Sequence, residues 1–382
     1  MTESERSEAL QLLKDVLAIH SVNGRDDEGA VARYLCEFFL ANGVEAFVQK
    51  IDETHSNVIA SLEGEHEGPL DVWNGHLDTV PYGDLSSWDT DPAEPVERDG
   101  MLYCRGASDM KSGLTAMAYA MVSFARTGKK PQRPLLYLGT CDEEKGGLGG
   151  EAILRDGLLP PCETLLIGEP TFNNFGVAHK GCFWMELHVE GKTCHGAYPE
   201  QGCNAVEQGV VLANAIKERL CSQHHPVLGG TTAQITKIEG GVAPNMTPDR
   251  CTILMDIRTV EGVTADDLEA MVLELAAKQS AEIRNGGDFR VSVTFCNARR
   301  AFGLSEDHPL FKKVQAATQR HCGDGQSIGI NFFTDASVLV RDHPATAVML
   351  FGPGAPELAH KPNEALVIEK YFQAIEVYRD LL

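Results

Sequence analysis

The sequence predicts an α/β protein in which a smaller α+β domain is inserted between the two halves of a larger domain. Helical patterns and short apolar extended runs alternate through residues 1–175, as is typical of α/β layers with buried strands. Near residue 180 the pattern changes to strands that alternate apolar and polar residues, and the first pattern returns after about 300. The length of 382 residues also exceeds what one hydrophobic core usually supports.

In the first part of the chain, apolar residues at helical spacing predict helices, and short apolar runs predict strands. The predicted helices cover 8–19, 27–42, 110–127 and about 149–156. The predicted strands cover 44–51, 57–62, 70–75, 134–140 and 164–168. Gly43 and Gly128 end two of the helices, which is where glycine is commonly found.

The middle of the chain has its own order of elements. The predicted elements are a strand at 183–191, a helix at about 203–221, strands at 231–239 and 250–259, a helix beginning near Thr264, and a strand at 289–296. This β-α-β-β-α-β order is the split βαβ, or ferredoxin-like, arrangement. After it come predicted helices at 308–320, 334–341 and 365–381 and a strand at 346–351. We therefore expect one domain made of 1–178 and 299–382, and a second made of 179–298.

Composition limits the partners and the compartment. A net charge of −22 repels nucleic acid and anionic membranes, which bind basic patches. The sequence contains no run of eighteen apolar residues and no secretory signal at its start, so a cytoplasmic location is expected. The eleven cysteines are scattered and include no C-x-x-C. We expect free thiols rather than metal ligands, with a nucleophilic cysteine as the alternative.

Potential metal ligands occur where predicted strands end. His76 follows strand 70–75, and Asp78 lies two residues on, where it can hold the other ring nitrogen of His76. Glu143 and Glu144 follow strand 134–140, and Glu169 follows strand 164–168. Open α/β sheets bind ligands at the carboxyl ends of their strands. The alternative for each residue taken alone is structural, such as a solvated acidic loop.

Two more candidates lie in loops. Asp109 stands just ahead of a helix in GASDMKSG (106–113), where Gly106 and Gly113 permit close backbone approach; an ordinary N-cap is the alternative. His360 follows GPG (352–354) in a loop beyond a strand, and an exposed histidine is the alternative there. Imidazole and carboxylate ligands suit zinc, cobalt or manganese. Five such side chains can hold two ions if one carboxylate bridges, which leaves Glu143 as a general base.

The motifs together resemble the family of acetylornithine deacetylase, succinyl-diaminopimelate desuccinylase and carboxypeptidase G. The resemblance covers essentially the whole chain, with the motifs in family order. They are NGHLDTVP (74–81), CRGASDMKSG (104–113), TCDEEKGG (140–147), IGEPT (167–171) and AHKPNE (359–364). The resemblance implies a zinc-peptidase-like catalytic domain with a mixed sheet, which binds two metal ions, and an inserted lid domain that often dimerises.

The resemblance also implies a role for each residue. His76 and Glu169 would hold one metal, Glu144 and His360 would hold the other, and Asp109 would bridge them. Asp78 would orient His76, and Glu143 would act as the base. In the lid domain, His195 would stabilise the transition state, and Asn245 and Arg258 would bind the substrate carboxylate and oxyanion. A loop turn for Asn245 and a surface ion pair for Arg258 are the structural alternatives.

These expectations define a function. We expect a hydrolase that cleaves the amide bond of an N-acylated amino acid or a related carboxylate-bearing substrate. The alternatives are a dipeptidase, carboxypeptidase or aminoacylase of the same superfamily and, outside enzymes, a binding protein that has lost catalysis. Departures from the family pattern, at Ala93, Cys104, Ser112 and Lys145, affect substrate fit rather than a proposed ligand. The resemblance further predicts a cis peptide bond between Asp109 and Met110.

Overall fold

The computed structural model describes residues 1–222, 224–283 and 288–382. The α-helices are α1 (Glu3–Ala18), α2 (Gly29–Ala41), α3 (Lys111–Ala125), α4 (Leu148–Arg155), α5 (Ala205–Leu220), α6 (Ala265–Glu282), α7 (Pro309–His321), α8 (Ala336–Leu339) and α9 (Ile368–Asp380). The first strands are β1 (Glu45–Lys50), β2 (Ser56–Leu62), β3 (Leu70–His76), β4 (Val96–Arg98), β5 (Met101–Tyr103), β6 (Leu135–Thr140), β7 (Cys162–Ile167), β8 (Phe175–His179) and β9 (Gly181–Glu190). The later strands are β10 (His224–His225), β11 (Gly229–Gly230), β12 (Thr232–Gly240), β13 (Arg250–Thr259), β14 (Arg290–Arg299), β15 (Phe302–Gly303), β16 (Ser327–Ile330), β17 (Ala347–Leu350) and β18 (Ala365–Val367).

The chain forms two compact units. The first contains Met1–Val177, Gly303–Ile328 and Thr334–Leu382, and the second contains Ala178–Phe302 and Gly329–Phe333. The predicted domains were 1–178 with 299–382, and 179–298, whereas here Ala178, 299–302 and 329–333 belong to the second unit. Each unit has its own hydrophobic core.

The first unit is built on a mixed sheet. Its strands lie in the order β1-β2-β6-β3-β7-β17-β8, and the chain leaves the unit within β8. The pairs β6·β3, β3·β7 and β7·β17 are parallel, and the outer pairs are antiparallel. The carboxyl ends of the four central strands therefore meet at one edge of the sheet. This edge receives the residues that follow β3, β6, β7 and β17.

Helix α3 packs in the middle of the first unit. Residues 111–123 of this helix are all buried, as expected for a helix whose apolar residues surround it on every side. It contacts α9, α1 and β3. Helix α1 begins at a capping box, in which Thr2 and Glu5 exchange hydrogen bonds with each other's backbone. Gly75 of β3 lies next to Met110 and Leu114, so the first turn of α3 lies beside the sheet edge where β3 ends.

The second unit has the predicted βαββαβ order, with β9, α5, β12, β13, α6 and β14 in sequence. Its sheet order is β12-β13-β9-β14, and all its pairs are antiparallel. Apolar residues from one sheet face, including Met185, Leu187 and Ile253, pack against α5 and α6. Helix α6 begins at Thr264 with a capping box, as the T-A-D-D pattern indicates. The α/β class with an inserted ferredoxin-like domain is the fold that the sequence predicted.

Some elements differ from the prediction. A small sheet of β18, β5 and β4 was not predicted, because strands of three residues show no period. For the same reason, the last helix begins at Ile368 rather than at 365: the residues before it form β18. In the described part of the chain, no helix has the length and apolar character needed to cross a membrane.

Candidate metal centre

The predicted ligands lie at the sheet edge where the central parallel strands end. His76 is the last residue of β3, Glu144 lies in the turn after β6, and Glu169 follows β7 closely. His360 lies in the loop beyond β17, with a positive φ of 61°. Residues after neighbouring parallel strands share this edge, so four separate segments contribute to one cluster.

Asp109 reaches the same edge from the loop before α3. The peptide bond between Asp109 and Met110 is cis, as predicted. A side chain at Gly113, in the first turn of α3, would place its Cβ 1.8 Å from the carbonyl oxygen of Gly168. Only glycine therefore allows α3 to lie this close to the backbone that carries Glu169.

The two carboxylate oxygens of Asp109 face different histidines. His76 Nε2 lies 3.2 Å from Oδ1, and His360 Nε2 lies 3.3 Å from Oδ2. His360 Nε2 is also 2.9 Å from a carboxylate oxygen of Glu144. Ligand atoms of His76, Asp109 and Glu144 all lie within 4.8 Å of one another. The carboxylate of Asp109 thus stands between the two histidines, with Glu144 beside His360.

The electrostatics of the cluster reflect several acids removed from water. Burial raises the pKa of Glu143 well above its ordinary value, and the charge of Glu169 adds to this. Burial and the charge of Asp109 likewise raise the pKa of Glu169. Burial opposes the charged form of Asp109, but hydrogen bonds from His360 and His76 hold its pKa below the ordinary value. Hydrogen bonds to Asp109 and Glu144 raise the pKa of His360 to about 10.

The pKa of His76 has opposing causes. Burial alone would lower it, but the hydrogen bond to Asp109 and the charges of Asp78 and Glu169 raise it well above the ordinary value. Buried carboxylates in this number need compensating cations. The donor set and its charge therefore fit divalent metal ions.

Asp78 connects His76 with the acidic turn. It is fully buried; its backbone carbonyl oxygen lies 3.0 Å from His76 Nδ1, and its carboxylate Oδ1 lies 3.5 Å from the same nitrogen. The backbone N–H groups of Glu143 and Glu144 donate to its two oxygens at 3.2 and 3.1 Å. Within the described residues, nothing hydrogen-bonds the carboxylate of Glu143, whereas His360 contacts that of Glu144. Glu143 therefore lies beside a candidate ligand with its own carboxylate unengaged.

Sequence reasoning missed two groups of supporting residues. Glu364 is fully buried and accepts backbone N–H groups from Gly106, Ser108 and Asp109 at 2.8–3.1 Å, while Arg105 Nη1 donates to its other oxygen at 2.6 Å. Asn23 donates to the carboxylates of Asp78 and Asp142, and Glu28 accepts the backbone N–H of Asp142. Glu364 was present in the AHKPNE motif, but an acid in a loop gives no local signal of its partners.

The predicted substrate residues all lie in the second unit. His195 and Met246 form an isolated bridge, and Gly196 N–H donates to the Asn245 carbonyl at 2.9 Å. His195 Nδ1 accepts the N–H of Ala197, which leaves the hydrogen of a neutral ring on Nε2. Arg258 on β13 pairs with Asp256 at 2.7 Å. The roles of His195, Asn245 and Arg258 stay predictions.

Comparison with known proteins decides the family. A model of peptidase family M20/M25/M40 matches residues 72–382. The chain belongs to this family. The resemblance inferred from the motifs is therefore confirmed, and this M20 family member is a metal-dependent amide hydrolase.

Two curated relatives that are similar in sequence to this M20 family member carry different enzyme names. A probable succinyl-diaminopimelate desuccinylase of Staphylococcus epidermidis is 26% identical over 409 residues, covering 100% of this chain and 98% of the relative. An acetylornithine deacetylase of Vibrio parahaemolyticus is 30% identical over 379 residues, covering 96% of each.

Solved structures share the fold of this M20 family member. A tripeptidase of Staphylococcus aureus has a TM-score of 0.72 at 20% identity, and the match covers 98% of this chain and 97% of that one. A dinuclear metal binding peptidase of Bacillus subtilis has a TM-score of 0.69 at 14% identity, covering 98% of each. The family thus includes proteins with two metal ions, and this chain has a group of side chains that can hold an ion.

Proposed function

We propose that the protein is a two-metal hydrolase that cleaves the amide bond of an N-acylated amino acid or a related carboxylate-bearing substrate. The functional types that we propose are acetylornithine deacetylase and succinyl-diaminopimelate desuccinylase. Curated relatives that align over nearly the whole chain carry these names. The family supports amide hydrolysis, and the names support the acylated amino acid.

The observation that carries the proposal is the position of Asp109 between two ligand sets. One carboxylate oxygen of Asp109 faces His76 and the other faces His360. We assign His76 and Glu169 to one ion, Glu144 and His360 to the other, and Asp109 as the bridge. Imidazole and carboxylate ligands favour zinc, with cobalt and manganese as alternatives. When bound, the two ions would polarise the substrate carbonyl and acidify a water molecule.

The chain's own residues would handle the proton. Glu143 would take a proton from the attacking water and deliver it to the departing amine nitrogen. Asp78 positions this step because it fixes the backbone N–H of Glu143 and faces the ring of His76. The free carboxylate of Glu143 and its place beside Glu144 support this division of roles.

We assign substrate recognition to the second unit. His195 would donate its Nε2 hydrogen to the carbonyl oxygen, as oxyanion-stabilising groups do. Arg258 and Asn245 would bind the substrate carboxylate and oxyanion. An arginine is suited to this role because its planar guanidinium donates two parallel hydrogen bonds to a carboxylate. We further propose that residues 179–298 act as a lid, that this domain mediates a homodimer, and that the enzyme works in the cytoplasm.

A substrate screen tests the function. Chelated protein is supplied with zinc, cobalt or manganese and offered N-acetylornithine, N-succinyl-diaminopimelate, other N-acyl amino acids and a dipeptide panel. We expect metal-dependent release of the acyl group from one or more acylated amino acids. Hydrolysis of dipeptides alone would replace the deacylase proposal with a peptidase, and loss of the acyl group at equal rate without metal would contradict the site.

A further inference from the structure

A network of polar side chains supports the acidic turn that follows β6. Asn23 Nδ2 faces three carboxylate oxygens, at 3.0 Å from Glu28, 3.2 Å from Asp78 and 2.9 Å from Asp142. Glu28 is fully buried, and its second oxygen accepts the backbone N–H of Asp142 at 2.8 Å. We call Asn23, Glu28, Asp78 and Asp142 the supporting network. The side-chain amide of Asn23 is the donor that the three acids of this network share.

Backbone pairing holds Asn23 in place. The N–H of Asn23 donates to the carbonyl of Thr79 at 2.8 Å, and the N–H of Thr79 donates to the carbonyl of Ser21 at 2.9 Å. The hydroxyl of Ser21 donates to the carbonyl of Leu77 at 2.8 Å. The segment 21–23 therefore runs alongside 77–79, so the backbone of Asn23 is held beside the segment that carries Asp78.

Asp142 needs such support because of its backbone. Its φ is +62°, a region that residues other than glycine enter uncommonly. Glu28 binds its N–H, Asn23 binds its carboxylate, and its carbonyl accepts the N–H of Gly146 at 3.0 Å. This left-handed residue turns the chain out of β6, so that the next two N–H groups donate to Asp78. The backbone conformation of Asp142 thus sets the positions from which the side chains of Glu143 and Glu144 extend.

We infer that Asn23 and Glu28 are positioning residues for the hydrolysis, acting through Asp142 and Asp78 to aim Glu143. This inference rests on the proposed role of Glu143 as the base. Neither residue touches a proposed metal ligand side chain. Their loss should therefore misplace the proton-transferring carboxylate and leave the metal ions bound. Small misplacements of a catalytic group cost on the order of 10²-fold in rate.

The test is the variant Asn23→Ala, followed by the double variant Asn23→Ala/Glu28→Gln. In the single variant, Glu28, Asp78 and Asp142 lose the donor that they share, so the turn at Asp142 is held less firmly. We expect kcat to fall by about 10²-fold with little change in KM and with the metal content unchanged. In the double variant, the amide introduced by Glu28→Gln supplies a donor in place of the one that was lost, so kcat should recover to within about tenfold of wild type.

A matched control separates positioning from general destabilisation. Asn42 caps the end of α2, donates to the Phe38 carbonyl at 2.7 Å and accepts from Arg126. Asn42→Ala also removes side-chain hydrogen bonds from the first unit, but far along the chain from the turn. It should lower the melting temperature and leave kcat unchanged. Unchanged kcat in Asn23→Ala, or equal loss in the single and double variants, would overturn the inference.

Hydrogen exchange gives a reading that needs no substrate. Amide exchange in a peptide covering 141–147 should speed up in Asn23→Ala and return towards wild type in the double variant. An inactive wild-type protein with this exchange pattern would refute the proposed function but not the support of the turn. Unchanged exchange at 141–147, or loss of bound metal in Asn23→Ala, would refute the positioning role even in an active enzyme.

Discussion

Glu364 holds the loop that carries Asp109, and its removal should weaken both the fold and the metal centre. Its Oε1 accepts three backbone N–H groups from the loop, and its Oε2 pairs with Arg105 at 2.6 Å. Arg105 is itself buried and lies 5.1 Å from the ring of Trp88. In Glu364→Ala, the guanidinium keeps the carbonyls of Lys361 and Pro81 but loses its only carboxylate partner among the described residues.

The magnitude follows from these contacts. Removing one partner of a buried ion pair costs about 3–5 kcal/mol, and each backbone N–H left without an acceptor adds about 1–3 kcal/mol. The losses overlap because they share one side chain. We expect the free energy of unfolding of the metal-free first unit to fall by about 5 kcal/mol. Glu364→Gln should cost less, since its carbonyl oxygen can still accept the three N–H groups.

The assay is denaturant unfolding of chelated protein with metal content measured in parallel. Unfolding is followed by tryptophan fluorescence in a Trp184→Phe background, which leaves Trp73 and Trp88 of the first unit. Both variants should bind metal more weakly, because Asp109 is no longer held as firmly through its N–H. Glu369→Ala is the matched control, since Glu369 forms an exposed ion pair with Arg6 worth about 1 kcal/mol or less. A loss below about 1 kcal/mol in Glu364→Ala, or unchanged metal affinity in both variants, would refute this reasoning.

Three further predictions test other parts of the structure. Burial raises the pKa of Glu28 to about 8. The protonated form of Glu28 therefore stabilises the folded protein at low pH, and this stabilisation is lost as the pH rises through about 8. Between pH 6 and pH 9 the melting temperature should fall less in Glu28→Gln than in wild type. Gly113→Ala should move α3 away from Gly168 and lower kcat by about tenfold or more. Gly68→Ala, with open space around its Cβ, should leave kcat unchanged. Arg258→Ala should raise KM for substrates with a free carboxylate by roughly tenfold or more, since a hydrogen bond to a charged group is worth about 1.5–3 kcal/mol. An equal change in KM for substrates whose carboxylate is amidated would exclude Arg258 as the residue that binds the carboxylate.

The sequence predicted the fold and the meeting of the ligands because both depend on short-range patterns. Apolar runs marked the parallel strands, and the carboxyl ends of such strands share an edge, so His76, Glu144 and Glu169 were expected to lie together. The βαββαβ order of the second unit followed from the change of period near residue 180. The family resemblance supplied the pairing of ligands to two ions, which remains a proposal.

What the sequence did not predict depends on contacts between distant residues. Glu364 binds N–H groups more than 250 positions earlier, and Asn23 meets Asp142 across 119 positions. A single Asn or Glu in a loop looks the same whether it is solvated or buried. The small sheet of β18, β5 and β4 was missed for a related reason, since its strands are stabilised by pairing rather than by their own pattern.

The two-metal site is tested most directly when the number of bound ions and the rate of hydrolysis are measured in the same titration. Chelated wild type, Glu143→Ala and Asp109→Ala are titrated with zinc, and bound ions and kcat are measured at each step. We expect two ions per chain in wild type and in Glu143→Ala, with kcat about 10²–10⁴ lower in the latter, and fewer than two ions in Asp109→Ala. Fewer than two ions in Glu143→Ala would make Glu143 a ligand, and full activity of wild type with a single ion would contradict the bridge at Asp109.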